Sequence, residues 1–245
     1  MKTFNSFLIA ASIATLSLST TSCKKDGWAT CKKANGEMVT EIREVSAFDK
    51  IHLKGSGDVI LIQDQSKSSP SLTVESSGNV LNRIETEVKN GELVLESKCI
   101  RGKNDITYTI TVDDLSKVAI SGSGTVTTNS TFALNAIELS ISGSGDMKFD
   151  TEAADLTANI SGSGNMDLNG TTDVLDISIS GSGNVKAFDL TSKDCYVTIS
   201  GSGDCNVFAN GLLDVNISGS GNVIYDGFPT EFNANTSGSG SVSKR

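Results

Sequence analysis

The sequence predicts an all-β fold, a parallel β-helix or β-solenoid of about 19–21 residues per coil, and three observations lead there. A Gly-Ser-Gly turn followed by Asp, Asn, Thr or Ser starts at Gly55, Gly122, Gly143, Gly162, Gly181, Gly201, Gly219 and Gly238. From Gly122 onward successive starts differ by 21, 19, 19, 20, 18 and 19 residues, and a fixed period of this length is the mark of a stacked repeat. Around every turn, apolar and polar residues alternate with strand parity.

The alternation defines columns. Counting back from each turn, Ile137, Leu156, Leu175, Cys195, Leu213 and Phe232 share one position, Leu139, Ala158, Ile177, Val197, Val215 and Ala234 the next, and Ile141, Ile160, Ile179, Ile199 and Ile217 the last. The residues between them, such as Asp176, Ser178 and Ser180, are polar. Beyond the turn Met147, Met166, Val185, Cys205 and Val223 resume the pattern, followed by Phe149, Leu168, Ala187, Val207 and Tyr225. Each period therefore holds two strands of about six residues, a glycine corner and a return loop of about five, with coils stacked at the strand spacing of about 4.8 Å. Glycine suits the corner because it reaches backbone conformations closed to other residues and lets neighbouring corners approach. The turn glycines are Gly143, Gly145, Gly162, Gly164, Gly181, Gly183, Gly201, Gly203, Gly219 and Gly221 in the regular coils.

The chain divides at three places. Lys2 and the apolar run Phe7 to Leu18 read as a secretory signal, since about a dozen residues fall short of the roughly 20 needed to span a bilayer. The signal occupies residues 1–22 and ends on Cys23, which is the candidate lipidation site, so that lipid would anchor the chain to a membrane. Ordinary cleavage with Cys23 as a spare thiol is the alternative. Residues 23–43 read as the lipidated cysteine and a polar tether. Residues 44–245 form the repeat domain, with irregular N-terminal coils over 44–115 and regular coils over 116–245. In the irregular part Ser76-Ser77-Gly78-Asn79-Val80 is a candidate degenerate corner and Asn90-Gly91 a hairpin turn. That segment would hold either about three longer coils or a small sheet capping the solenoid.

Composition narrows function. A formal charge of −9 and only 2 prolines, with no Lys/Arg cluster beyond the N-terminus, disfavour nucleic acid as a partner and an extended proline-rich linker. No cofactor or metal is expected. The Gly-Ser-Gly turns lack the lysine and following helix of a nucleotide loop. Asp58, Asp146 and Asp204 follow their corners in a column interrupted by Asn165, Asn184 and Asn222, which is better explained by turn preference than by calcium.

No catalytic residue is assigned. His52 is the only histidine and has no evident serine or cysteine partner in sequence. Glu138, Asp176 and Asp214 share an outward column but are interrupted at Thr157 and Tyr196, so a polysaccharide-active enzyme is the least favoured reading. Cys195 and Cys205 read as small buried apolar residues, because folding the coil at its corner sets Cys205 opposite Ile199. Cys31 and Cys99 are left as a candidate pair that would staple the tether to the N-terminal coils in an oxidising envelope.

The segment from Ala47 through Phe48, Asp49, Ile51 and Gly55 to Val59, the later Thr109 to Leu115, and the ladder of Ser-Gly-Ser-Gly-Asp/Asn turns resemble the head GIN domain family, labelled auto-transporter adhesins and common among Bacteroidetes lipoproteins. The resemblance implies a β-helical fold. The candidate binding face is the outward ladder of Ser142, Ser161, Ser180, Ser200 and Ser218. The leading expectation is a non-enzymatic, adhesin-like module contacting glycan or another envelope partner, held on the periplasmic or outer face of the outer membrane. The alternative is a structural, self-associating envelope protein with no soluble ligand.

Overall fold

The computed structural model describes residues 31–67, 69–101 and 106–245. Cys23 and the signal read over residues 1–22 lie outside the described residues. From Lys117 onward the chain winds as expected, and each strand pairs in parallel with the equivalent strand one period away. Lys117–Ile120 pairs with the segment Glu138 to Ile141, which pairs in turn with Thr157 to Ile160. The ladder runs on through Asp176, Tyr196, Asp214 and Asn233, residue for residue as the columns predict. On the other side of the corner, Thr125–Thr128, Asp146, Asn165, Asn184, Cys205, Val223 and Val242 open a second such ladder.

Parity decides what is buried. Ile137, Leu139 and Ile141 and their equivalents in every coil through Leu213, Val215 and Ile217 are at most 2% exposed. They face Met147, Phe149, Met166, Leu168, Val185, Ala187, Cys205 and Val207 across one continuous core. Burial of each large apolar side chain contributes about 1.5–3 kcal/mol, so the repeated columns are the main source of stability.

The expected return loop is a third hydrogen-bonded side. Asp146–Ile160 and Asn165–Ile179 are each continuous strands of 15 residues that bend rather than break. Thr151, Glu152 and Ala153 pair with Gly170, Thr171 and Thr172. The hydroxyls that this bend buries are satisfied: Thr151 donates to the Phe132 carbonyl at 2.8 Å and Ser192 to that of Phe208 at 2.7 Å. The uneven spacings are absorbed here too, through shifts of register between Asp167 and Gly170 and between Ala187 and Thr191. The corner and the two faces beside it thereby stay in step.

The corners show why glycine recurs. Only the first, with Gly55 at φ +125° and Gly57 at φ +137°, uses the left-handed region. In the stacked corners the reason is proximity: a Cβ on Gly181 would sit 2.0 Å from the carbonyl oxygen of Gly162.

The N-terminal part departs from a simple winding. Lys50–Lys54 and Asp58–Gln63 form a genuine coil under Lys117–Thr128. On its other side lie Glu92–Ser97 and Thr107–Val112, also parallel, so the coil nearest the end of the stack comes from later in the sequence. Antiparallel strands cover this end: Ser71–Ser77 joins Thr107–Val112, Met38–Arg43 joins Ser71–Ser77, and Ile84–Lys89 joins Glu92–Ser97. The small capping sheet is the alternative that holds, and three longer coils do not form. Gly78 to Val80 make a turn into the short 3-10 helix Leu81–Arg83 instead of a corner. The hairpin at Asn90-Gly91 is present, with both residues at positive φ as a type I′ turn requires.

Part of the stretch read as tether is structured. Cys31 is disulfide-bonded to Cys99, Lys32–Lys33 pairs with Ile100–Arg101, and Met38–Arg43 is an edge strand. The Asn79 side chain holds this strap, donating to the Lys33 carbonyl at 2.9 Å and accepting from the Gly36 N–H at 3.2 Å.

Candidate binding face

Strand pairing sets Ser142, Ser161, Ser180, Ser200 and Ser218 in one column just before the corner, with Ser121 and Ser237 at its two ends; all are exposed. Their backbone N–H groups are consumed by the stack, Ser161 donating to Ile141, Ser180 to Ile160 and Ser200 to Ile179, each at 2.9 Å. Most of their hydroxyls are not, the exception being Ser121, 2.8 Å from the His52 ring. Ser142 reaches the Ile120 carbonyl only at 3.5 Å, and the hydroxyls of Ser161, Ser180, Ser200 and Ser218 make no hydrogen bond within the described protein. A column of outward hydroxyl groups, one per coil at about 4.8 Å, is left to whatever lies outside. A shallow groove runs along it, lined by Ser140, Asn159, Ser161, Ser178, Ser180 and Ser200.

The column across the corner behaves oppositely. Asn165 donates through Nδ2 to Asp146 at 2.8 Å, Asn184 to Asn165 at 3.0 Å, and Asn222 to Asp204 at 3.0 Å. Asn184 in turn accepts from the Asp204 N–H at 2.9 Å, and Asn222 from Ser241. These Asp and Asn side chains form a self-paired ladder whose amides point back along the stack, and among the described residues no group of acidic, His or Cys side chains is placed to hold a metal. Asn184→Asp should therefore lower the unfolding free energy by about 1 kcal/mol, because the donor to Asn165 is lost and a second carboxylate arrives beside Asp204. Asp204→Asn should be neutral or stabilising, and urea midpoints of the two variants check the pair.

His52 has partners that sequence reading missed. Its Nε2 lies 2.8 Å from the Ser121 hydroxyl and its Nδ1 3.9 Å from a Glu92 carboxylate oxygen. Burial lowers the imidazole's pKa against the opposing pull of Glu92. The order serine, histidine, carboxylate is that of a hydrolytic triad, but the Ser121 and Ser123 N–H groups are already donated to Leu53 and Gly55 at 2.9 Å. Neither is free to stabilise an oxyanion. The contact ties three coils together.

The outward carboxylates sit in register as expected, with Glu138, Thr157, Asp176, Tyr196 and Asp214 in one column. Glu138 accepts from Lys117 and Asp214 from Asn216, both at 2.8 Å. Cys195 and Cys205 are buried free thiols whose pKa values desolvation raises, that of Cys195 to about 12, which disfavours the reactive thiolate.

A β-solenoid with a filled core and hydroxyl-lined outer faces is the class of protein that this geometry defines. The chain belongs to the family described as "Putative auto-transporter adhesin, head GIN domain", whose profile matches residues 47–229. Solved structures agree in fold. A putative adhesin from Bacteroides fragilis is 22% identical with a TM-score of 0.82, covering 87% of this chain and 99% of its own. A putative lipid binding protein from Parabacteroides distasonis is 26% identical, with a TM-score of 0.73 and coverage of 87% and 98%. A putative adhesin from Parabacteroides merdae is 23% identical, with a TM-score of 0.69 and the same coverage. No curated protein sequence matches the chain.

Proposed function

We propose that the chain is an exported lipoprotein of the cell envelope, anchored through Cys23, whose solenoid is a non-enzymatic binding module for glycan. The single observation that carries this is the contrast between adjacent columns. The Asp/Asn ladder is spent on itself, while one step across the corner the hydroxyls of Ser161, Ser180, Ser200 and Ser218 are exposed and make no hydrogen bond within the described protein. Hydroxyls at a fixed spacing on a flat sheet offer donors and acceptors to a polymer that repeats them. The membership in an adhesin family supports an exported location. The lipid-binding description of one structural neighbour would apply here only at a surface, since the core columns are packed with side chains.

Protease shaving of intact cells, comparing wild type with Cys23→Ala, together with a glycan array, tests the reading. Membrane-bound wild type that external protease removes, release of the variant, and retention on glycans are the expected results. Wild-type protein found free of membrane, or protected inside intact cells, overturns the anchored surface module.

A second reading, self-association, has its own observation. Glu231–Thr236 and Val242–Lys244 are hydrogen-bonded on one side only, and Phe228 and Phe232 are 80% and 45% exposed at that end. Such an uncovered strand edge is a template for another chain. Sedimentation that depends on concentration would favour it.

A further inference from the structure

We propose that Tyr196 is a stacking platform for an uncharged or amino-bearing pyranose, with Asp176 and Asp214 receiving its hydroxyl or ammonium hydrogens. The proposal deepens the glycan reading above and rests on it.

Position is the first argument. The large exposed apolar side chains of the described residues fall into three places: Met38, Val39 and Ile42 at the capped end, Ile224, Phe228 and Phe232 at the open end, and Tyr196, 41% exposed, alone in the middle of a polar face. Met38, Val39 and Ile42 lie on an edge strand and Phe232 on the last, singly paired strand, where coverage stops, while Ile224 lies in the last coil but one beside them. Tyr196 lies on a strand whose neighbours on both sides are in register, and its own strand partners Val197 and Cys195 are buried as the pattern requires. It shares no ring contact with another aromatic residue and its hydroxyl makes no hydrogen bond in the described protein.

The second argument is what flanks it. Asp176 stands in register on one side and Asp214 on the other, each about 4.8 Å away along the ladder. A pyranose presents an apolar C–H face, suited to an aromatic ring, rimmed by hydroxyl donors, suited to carboxylates. Few other ligands combine the two: an aromatic surface with carboxylates on both sides repels phosphate, sulfate and uronate groups. The Asn216 amide fixes the Asp214 carboxylate through a bond of 2.8 Å, so one acceptor is already oriented. Ser178, Thr198 and Asn216 occupy the next outward column and continue into the serine ladder, which gives a longer oligosaccharide further polar contacts beyond the ring.

The test is binding of wild type, Tyr196→Ala and Tyr196→Phe to an array of neutral, amino-sugar and uronate oligosaccharides, followed by titration of the best neutral binder. Wild type should bind neutral or amino sugars and not uronates. Tyr196→Phe should stay within about threefold of wild type, and Tyr196→Ala should lose at least about tenfold, the range expected for truncating an interfacial aromatic. Because Tyr196 is exposed, unfolding midpoints of all three should coincide, which separates loss of binding from loss of fold. Unchanged binding by Tyr196→Ala would overturn the platform while leaving the serine-face reading intact. Wild type that binds no oligosaccharide, or binds uronates best, would overturn both the platform and the charge argument behind it.

Discussion

Gly181→Ala is expected to lower the unfolding free energy by about 3 kcal/mol or more, at the upper end of overpacking costs. The added methyl would lie 2.0 Å from the Gly162 carbonyl oxygen, 2.9 Å from its carbon and 3.1 Å from its nitrogen. All three are backbone atoms of a ladder, so no flexible side chain can turn aside. The coil above is equally close, since a Cβ on Gly201 would meet the Gly181 carbonyl oxygen at 1.9 Å. Relief requires two coils to part, which lengthens the Ser182 to Gly162 hydrogen bond of 3.0 Å. Ser182→Ala, one residue along and exposed, should change stability by less than about 0.5 kcal/mol. Urea midpoints at unchanged m-value decide the comparison. A loss below about 1 kcal/mol for Gly181→Ala would mean that the coils can separate locally, and steric proximity would then fail as the reason for the repeated glycine.

Opening the Cys31 to Cys99 bond is the second large effect. The bond joins positions 68 residues apart, and the loop-closure relation assigns such a link about 4 kcal/mol through the unfolded chain. The strap it holds has few other ties: two strand residues against Ile100 and Arg101, and the Asn79 amide. The paired Cys31→Ser, Cys99→Ser variant should shift the urea midpoint down, and added reductant should then change nothing more. The remaining described cysteines are internal controls, since Cys195 and Cys205 are buried in the core with thiol pKa values raised by desolvation. Neither should react with an alkylating reagent in the folded protein. If reduction leaves the midpoint of wild type unchanged, the strap contributes nothing to global stability.

How much of this fold could be read in the sequence follows from what a column can and cannot encode. Where the period is short and unbroken, an apolar residue such as Ile160 or Ile179 has one possible partner on either side, so the pairings of Glu138, Thr157, Asp176 and Tyr196 follow directly. Between Gly57 and Gly122 the alternation still locates strands, as at Leu93 and Leu95 or Tyr108 and Ile110. Alternation is blind to direction, however, and the parallel pairing of Glu92–Ser97 beside the antiparallel pairing of Ser71–Ser77 leaves no trace in parity. The out-of-order coil hides for the same reason. His52 and Ser121 meet only because residues 69 positions apart are neighbours in the stack; once the coil at Gly55 is placed under that at Gly122, their approach could have been foreseen. The serine ladder was legible as a column, but not the freedom of its hydroxyls, which depends on the geometry that pairs the Asp/Asn column and leaves the serines apart.

The crosslinked strap also decides how tension would travel. A pull on the chain upstream of Cys31 passes through the sulfur bridge straight to Cys99, so the backbone of residues 32–98, including the edge strand Met38–Arg43 and the hairpin, lies outside the direct covalent path of the load. The force arrives at the Thr107–Val112 strand, which is paired on both sides, to Asp58–Gln63 and to Ser71–Ser77. Further extension under such a pull requires that doubly paired ladder to shear. The weakest-looking part of the molecule is thus mechanically bypassed, and resistance to such a pull is set by a doubly paired strand in the coil nearest the capped end.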